Sequence, residues 1–198
     1  MGAAWRDLLL NMIVGAVLML APAHADEACE RFMSTVFEGA LNGETSNHQD
    51  PTGHIETVIK DHIDLPAITR FTLGKYAGQV PRDDLATYQN ALQTHLSTTL
   101  AEQLQSVKGL NADILTSVDR NPNDCFVETV IHSAEQEDVF VIWRVRRSDQ
   151  THRILELALN QAGSRIWLGI ELRAQVMALY EQSRGDIGFV IERLDLAN

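Results

Sequence analysis

The apolar residues of this chain repeat with a period near 3.6 up to Gly109 and with a period of 2 beyond it. A helical half therefore meets a run of strands, which restricts the chain to an α+β arrangement. The strand candidates are Asn111 to Val118, Cys125 to His132, Val139 to Arg146 and Arg153 to Leu159, separated by Asn121-Pro122-Asn123-Asp124 and by two short polar links. Links this short join antiparallel neighbours, because parallel pairing needs a crossover of about a dozen residues or more. In the third strand Val139, Val141, Trp143 and Val145 share one face, and Phe140, Ile142, Arg144 and Arg146 the other. In the fourth, Leu155, Leu157 and Leu159 alternate with Glu156 and Asn160. The spacing predicts a four-strand antiparallel meander with one strongly apolar face, which needs helices against it.

The helical half supplies them. Phe32, Val36, Phe37 and Ala40 mark a helix from Glu27 to Leu41 that Gly43 stops, and a polar loop from Asn42 to Thr52 follows. Ile55, Val58, Ile59 and Ile63 repeat at amphipathic spacing in a second helix, ended by Pro66. A short helix from Ala67 to Ala77 closes near Gly74. Pro81 opens a long helix, with Asp83 and Asp84 at its positive end and a stripe of Leu85, Tyr88, Leu92, Leu96, Thr99, Leu100 and Leu104. After the strands come helices from Ile166 to Ser183 and, past Gly185, from Asp186 to Leu194.

The first 25 residues stand apart. An apolar run from Leu8 to Leu20 is interrupted only by Asn11 and precedes Ala23-His24-Ala25. At a rise of about 1.5 Å per residue it reaches about 20 Å, short of a hydrocarbon core of about 30 Å. Run length and the Ala-x-Ala pattern predict a secretory signal peptide, residues 1–25, followed by a single domain, residues 26–198. An uncleaved anchor is the alternative, since Arg6 is the only basic residue ahead of the run. Cys29 and Cys125, the two cysteines, are compatible with an oxidising compartment, where they either pair or remain as two buried thiols. Their separation excludes a C-x-x-C motif, and with no Cys/His cluster elsewhere no structural metal is expected. The net charge of −11 argues against the phosphate attraction that nucleic-acid binding requires.

The familiar catalytic signatures are absent: no phosphate-cradling glycine loop, no H-E-x-x-H and no G-x-S-x-G. Asp61-His62-Asp64 could present a base beside a carboxylate, and His132 with Glu135 is a second such pair, but no nucleophile can be placed beside either. The alternative is a solvated helix end. Arg144, Arg146, Arg147 and Arg153 gather on two neighbouring strands and their link, where guanidinium forks either receive an anionic head group or pair with Glu128, Glu135 or Glu156.

The segment Asp64-Leu65-Pro66-Ala67-Ile68-Thr69-Arg70-Phe71-Thr72-Leu73-Gly74-Lys75-Tyr76 resembles the MlaC (toluene-tolerance) family of periplasmic phospholipid-binding proteins. The likeness continues through the helix carrying Tyr88, the Trp143-Arg144-Val145 strand and the closing Arg184-Gly185-Asp186-Ile187 run. Similar proteins follow the last strand with Asp-x-x-x-acidic-Gly-x-Ser, whereas here Gly163 and Ser164 arrive displaced, a departure that points to a divergent subgroup such as the hopanoid-associated relatives. The resemblance implies an apolar cavity between sheet and helices, and a soluble shuttle needing no cofactor. Such a shuttle would carry phospholipid, or a related lipid, between a membrane-bound ABC-type transporter and an outer-membrane lipoprotein/porin complex, with only transient membrane contact. Val139, Val141, Trp143, Leu155 and Leu157 would line the cavity, opposed by Leu65, Ile68, Phe71, Tyr76, Tyr88 and Leu92, with Arg144 and Arg146 as head-group candidates. The rival reading is a small periplasmic enzyme on a cystatin-like cavity with His62 or His132 as base.

Overall fold

The structure, a computed structural model, describes residues 27–46, 51–105, 110–134, 136–148, 151–161 and 164–195. The expected leader, Glu135 and Gly163 lie outside the described residues. Helix α1 (Glu27–Ser46) carries Glu27 and Glu30 in its first turn, where the helix dipole favours them. It runs through Gly43 instead of stopping there. A lone glycine costs a helix only about 1 kcal/mol, less than the buried face of Cys29, Met33 and Val36 contributes. Helix α2 (Pro51–His62) opens on proline, which the first helical position accepts.

Pro66 does not end α2. That helix stops at His62, and the chain leaves it so that Ile63 bridges to Ile154 of the sheet and Asp64 N–H donates to the Ile154 carbonyl at 2.9 Å. Pro66 instead lies in the first turn of α3 (Leu65–Leu73), whose cap is Asp64: its Oδ1 accepts from Ala67 N–H at 3.0 Å. The same carboxylate pairs with Arg146. Asp64 thus ends one helix, starts the next and ties both to the sheet. Asp64→Ala is expected to lose about 1 to 2 kcal/mol in urea denaturation, and Asp64→Asn, which retains a capping oxygen, distinctly less.

A 3-10 turn (Gly74–Tyr76) leads towards α4 (Arg82–Gln105), which begins directly after Pro81. Tyr88 and Leu92 are fully buried, but the expected stripe then turns outward at Thr99 and Leu100, and Ser97 and Ala101 are buried in their place. Steps of four residues drift around a 3.6-residue helix, and the second half of α4 follows its partner α2, where Ala101 packs with Ile55, Ile59 and Leu65.

Five strands follow: β1 (Asn111–Asn121), β2 (Asp124–His132), β3 (Val139–Ser148), β4 (Thr151–Gln161) and β5 (Ser164–Trp167). They pair antiparallel in sequence order, with β1 and β5 at the margins. The fifth strand corrects the expected four. Ile166 and Trp167, expected to open a helix, pair with Leu159 and Ala158, because Gln161 and Ser164 stand opposite one another and the ladder continues from them. Helices α5 (Leu168–Gln182) and α6 (Ile187–Asp195) complete the chain. They are divided by Arg184 and Gly185 at φ 60° and 92°, and the Gly185 N–H returns to the Tyr180 carbonyl at 2.9 Å.

Register decides what each sheet face carries. Cys125, Val127, Val145 and Ile154 share one face and pack with Cys29, Met33 and Val36 of α1, and the Cys29–Cys125 disulfide joins the two layers. The alternation expected in β4 breaks at Leu155: Ile154 pairs with Val145 and Glu156 with Arg144, leaving Leu155 as the extra residue of a bulge. The opposite face carries Phe126 beside Trp167, and Gly169 of α5 lies against Glu156. Irregularities also interrupt β1, between Ile114 and Thr116 and between Asp119 and Asn121.

Candidate functional site

Most of the buried apolar residues fall into three clusters, with Val130, Val141, Ile142 and Ala158 of the sheet outside them. The first, within the helical layer, joins Leu73, Val80, Tyr88 and Leu92 to Val176, Tyr180, Ile187, Val190 and Leu194, with Ile68 and Tyr76 packed at its edge. The second lies between α1 and the sheet and takes in Trp143, and the third holds Leu65 between α2 and α4. Of the residues expected to line a cavity, Tyr88, Leu92, Ile68 and Tyr76 go to the first cluster, Trp143 to the second and Leu65 to the third, while Phe71, Val139, Val141, Leu155 and Leu157 belong to none. Tyr88 is 0% exposed, and its hydroxyl lies 2.8 Å from Thr72 Oγ1. Thr72 spends its own proton on the Thr69 carbonyl at 3.0 Å, so Tyr88 is the donor of that bond. Burial pushes the Tyr88 phenol up to about 12. A side chain enclosed in this way is wall, and Leu92, also 0% exposed, is equally so.

On the sheet, Val141 is buried and Val139 half-buried. Trp143 packs edge-on against Phe37 of α1 and donates from Nε1 to Thr129 Oγ1 at 2.9 Å. Leu155 and Leu157 are half-buried. Beyond these, several large apolar side chains are left uncovered: Phe71, Leu100, Ile166 and Leu168 at 38 to 40% exposure and Ile170 at 52%.

The strand arginines have partners that their positions in the sequence do not announce. Arg144 grips Asp124 through Nε and Nη2, at 3.0 and 2.9 Å to Oδ2. Asp124 is nearly buried and also receives Arg120 at 3.1 Å. Arg146 is held by Asp64, Arg147 by Asp119 at 3.0 Å, and Arg153 donates to the Lys60 and Asp61 carbonyls at the end of α2. Of the acidic residues considered from the sequence, Glu128 takes Arg165 at 3.8 Å. Glu156 has its carboxyl raised by burial, an effect that the Arg144 charge opposes.

A cation that sequence reasoning passed over is Arg173, on α5. It is half-buried, its guanidinium stands 5.0 Å over the Phe71 ring, and it packs against Gly74, where a Cβ would come within 2.8 Å of Nη2. Gly74 adopts φ 55°, a conformation that favours glycine. The neighbouring Lys75 pairs with Glu181 at 3.3 Å, and Tyr76 donates to the same carboxylate.

The two histidines considered as bases both have close neighbours. His62 meets Phe32 edge-on at 5.7 Å, and burial lowers its pKa. His132 lies between Asp138 at 2.9 Å and Asp113 at 3.3 Å, and the hydrogen bond to Asp138 is the largest contribution raising its pKa. Among the described residues no group of three His, Cys, Asp or Glu side chains is placed to hold a metal ion. No helix there is long and apolar enough to cross a membrane.

Comparison with known proteins bears on this arrangement. No curated protein sequence matches the chain. Among solved structures it is similar to a phospholipid-binding protein from Ralstonia solanacearum, in complex with a phospholipid, at 18% identity and a TM-score of 0.69. The match covers 83% of this chain and 93% of that one, so the two share a fold across almost their whole length. The family model for MlaC protein matches residues 30–195, from the first turn of α1 to the last residue of α6. With the match running from α1 through α6 over most of the chain, this chain belongs to the MlaC family.

Proposed function

We propose that this protein is a soluble lipid carrier of the periplasm, delivered there by the leader that ends at Ala25. It passes phospholipid between a membrane-bound ABC-type transporter and outer-membrane components. The observation that carries the reading is the set of large apolar side chains that join none of the three buried clusters and stay open to solvent, Phe71, Leu100, Ile166, Leu168 and Ile170 among them. Acyl chains laid against these side chains would take them out of water. Membership of the MlaC family and the phospholipid held by the R. solanacearum protein support the same reading.

In this proposal Val139, Leu155, Leu157 and Phe71 touch the acyl chains. Tyr88, Leu92, Leu65 and Val141, having almost no accessible surface, stand behind them as support. The energetics are those of exchange. A chain of about 15 methylenes gains about 0.8 kcal/mol per buried CH₂, on the order of 12 kcal/mol relative to water, whereas transfer from a bilayer to an equally apolar site is nearly neutral. Loading and unloading therefore need no covalent step. The net charge of −11 disfavours residence on an anionic membrane, which favours handover through protein partners.

Protein purified without detergent is expected to yield phospholipid on mass spectrometry of its organic extract, and to move labelled phospholipid between vesicles without ATP. If extracts are lipid-free and added phospholipid neither binds nor moves, the carrier reading is wrong.

A further inference from the structure

The sheet arginines named as head-group candidates are occupied: Arg144 by Asp124, Arg146 by Asp64, and Arg153 by carbonyls of α2. Arg173 is not. Among the described residues it has no hydrogen-bond or ion-pair partner. Yet it is not a free surface cation. It is half-buried, Phe71 lies under its guanidinium, and Gly74 leaves the space that the guanidinium fills. In a chain with 27 acidic and 16 basic residues, a positioned guanidinium without a carboxylate is a local exception. Its surroundings are apolar: Phe71 is 38% exposed, and Ile170, one turn earlier on α5, is 52% exposed.

A planar fork of donors matches two oxygens of a phosphodiester, and the apolar flank matches what a lipid attaches to that phosphate. Resting on the carrier reading above, we propose that Arg173 is the subsite for the phosphodiester of the bound lipid. Phe71 and Ile170 contact the first part of its acyl chains, and Gly74 keeps the guanidinium in place. A free inorganic anion would use the same fork but leave Phe71 and Ile170 uncovered.

The test compares binding of dihexanoyl phosphatidylglycerol and dihexanoylglycerol, which share acyl chains and differ in the phosphodiester, by calorimetry on the whole protein. Wild type is expected to bind the phospholipid at least about tenfold more tightly, as for a charge-assisted pair. Arg173→Gln should bring that ratio close to one with diacylglycerol affinity unchanged, Arg173→Lys should fall between, and Arg70→Gln, an exposed cation on α3, should keep the wild-type ratio. Thermal melting monitored by circular dichroism confirms that each variant is folded. The assignment is overturned if Arg173→Gln keeps the ratio, if it weakens both ligands together, or if Arg70→Gln lowers the ratio equally. It is also overturned if inorganic phosphate alone binds wild type as tightly as the phospholipid and is lost in Arg173→Gln. If wild type binds neither lipid, the carrier reading itself fails, and the subsite with it.

Discussion

Replacing both Cys29 and Cys125 by serine is expected to cost about 4 kcal/mol of stability, seen as a lower urea midpoint and a melting temperature lower by about 10 °C. The bond closes a sequence separation of 96 residues, for which restriction of the unfolded chain alone gives about 4 to 5 kcal/mol. Its position adds to the effect. Both sulfurs lie at the centre of the cluster between α1 and the sheet, with Met33, Val36, Val127 and Val145 around them, so two serine hydroxyls would be buried in an apolar setting. Both cysteines are 0% exposed, so reductant should act slowly on the native protein and rapidly once urea opens it. A midpoint unchanged to within about 1 kcal/mol would show that α1 holds to the sheet by packing alone.

Tyr88→Ala should be comparably severe, about 3 to 5 kcal/mol, because it removes a wholly buried ring from the helical cluster. Tyr88→Phe separates ring from hydroxyl. Thr72 already donates to Thr69, so the lost phenol leaves only a vacant lone pair, and the cost at neutral pH should be about 1 kcal/mol. The two tyrosine-88 forms then diverge with alkali. The phenol ionises at about 12 in the folded protein and near 10 in the unfolded chain. Its contribution is complete below pH 10. Between about 10 and 12 the unfolded state gives up a proton that the folded state retains, so stability falls as pH rises and levels off above 12. Two units correspond to about 3 kcal/mol, enough for Tyr88→Phe to become the more stable protein at the alkaline end. Parallel denaturation series at pH 8 to 12 read this directly, and curves that never cross would show that the phenol is not enclosed.

The meander was legible because alternation over long strands has no helical reading, and Asn121 to Asp124 is an unmistakable turn. The fifth strand was not. Ser164 to Trp167 is four residues long, and Ile166 and Trp167 continue without a break into α5. Only backbone pairing with β4 assigns them. Periodicity also told that Tyr88 and Leu92 face inward, but not that they face other helices. The strand arginines were visible, but their partners Asp124 and Asp64 reach them diagonally across a ladder and from a distant helix cap. Arg173 is a single basic residue in an ordinary helix, and its one advance signal was Gly74, a glycine at the end of α3 where an arginine from α5 needs room.

The order of the strands bears on how the protein behaves in company. Within the described residues the outer side of β4 is met by Ile63 and Asp64 at Ile154 and by β5 from Ala158 to Gln161. The long side left to strangers is that of β1. There Leu115 and Val118 are exposed, a combination that in a straight strand would invite another chain to add on. Two departures from regular pairing within its eleven residues, together with Asp113, Asp119 and Arg120 along it, spoil the template. For the carrier proposed above, these irregularities would guard the edge of the sheet against pairing with a second copy of the chain.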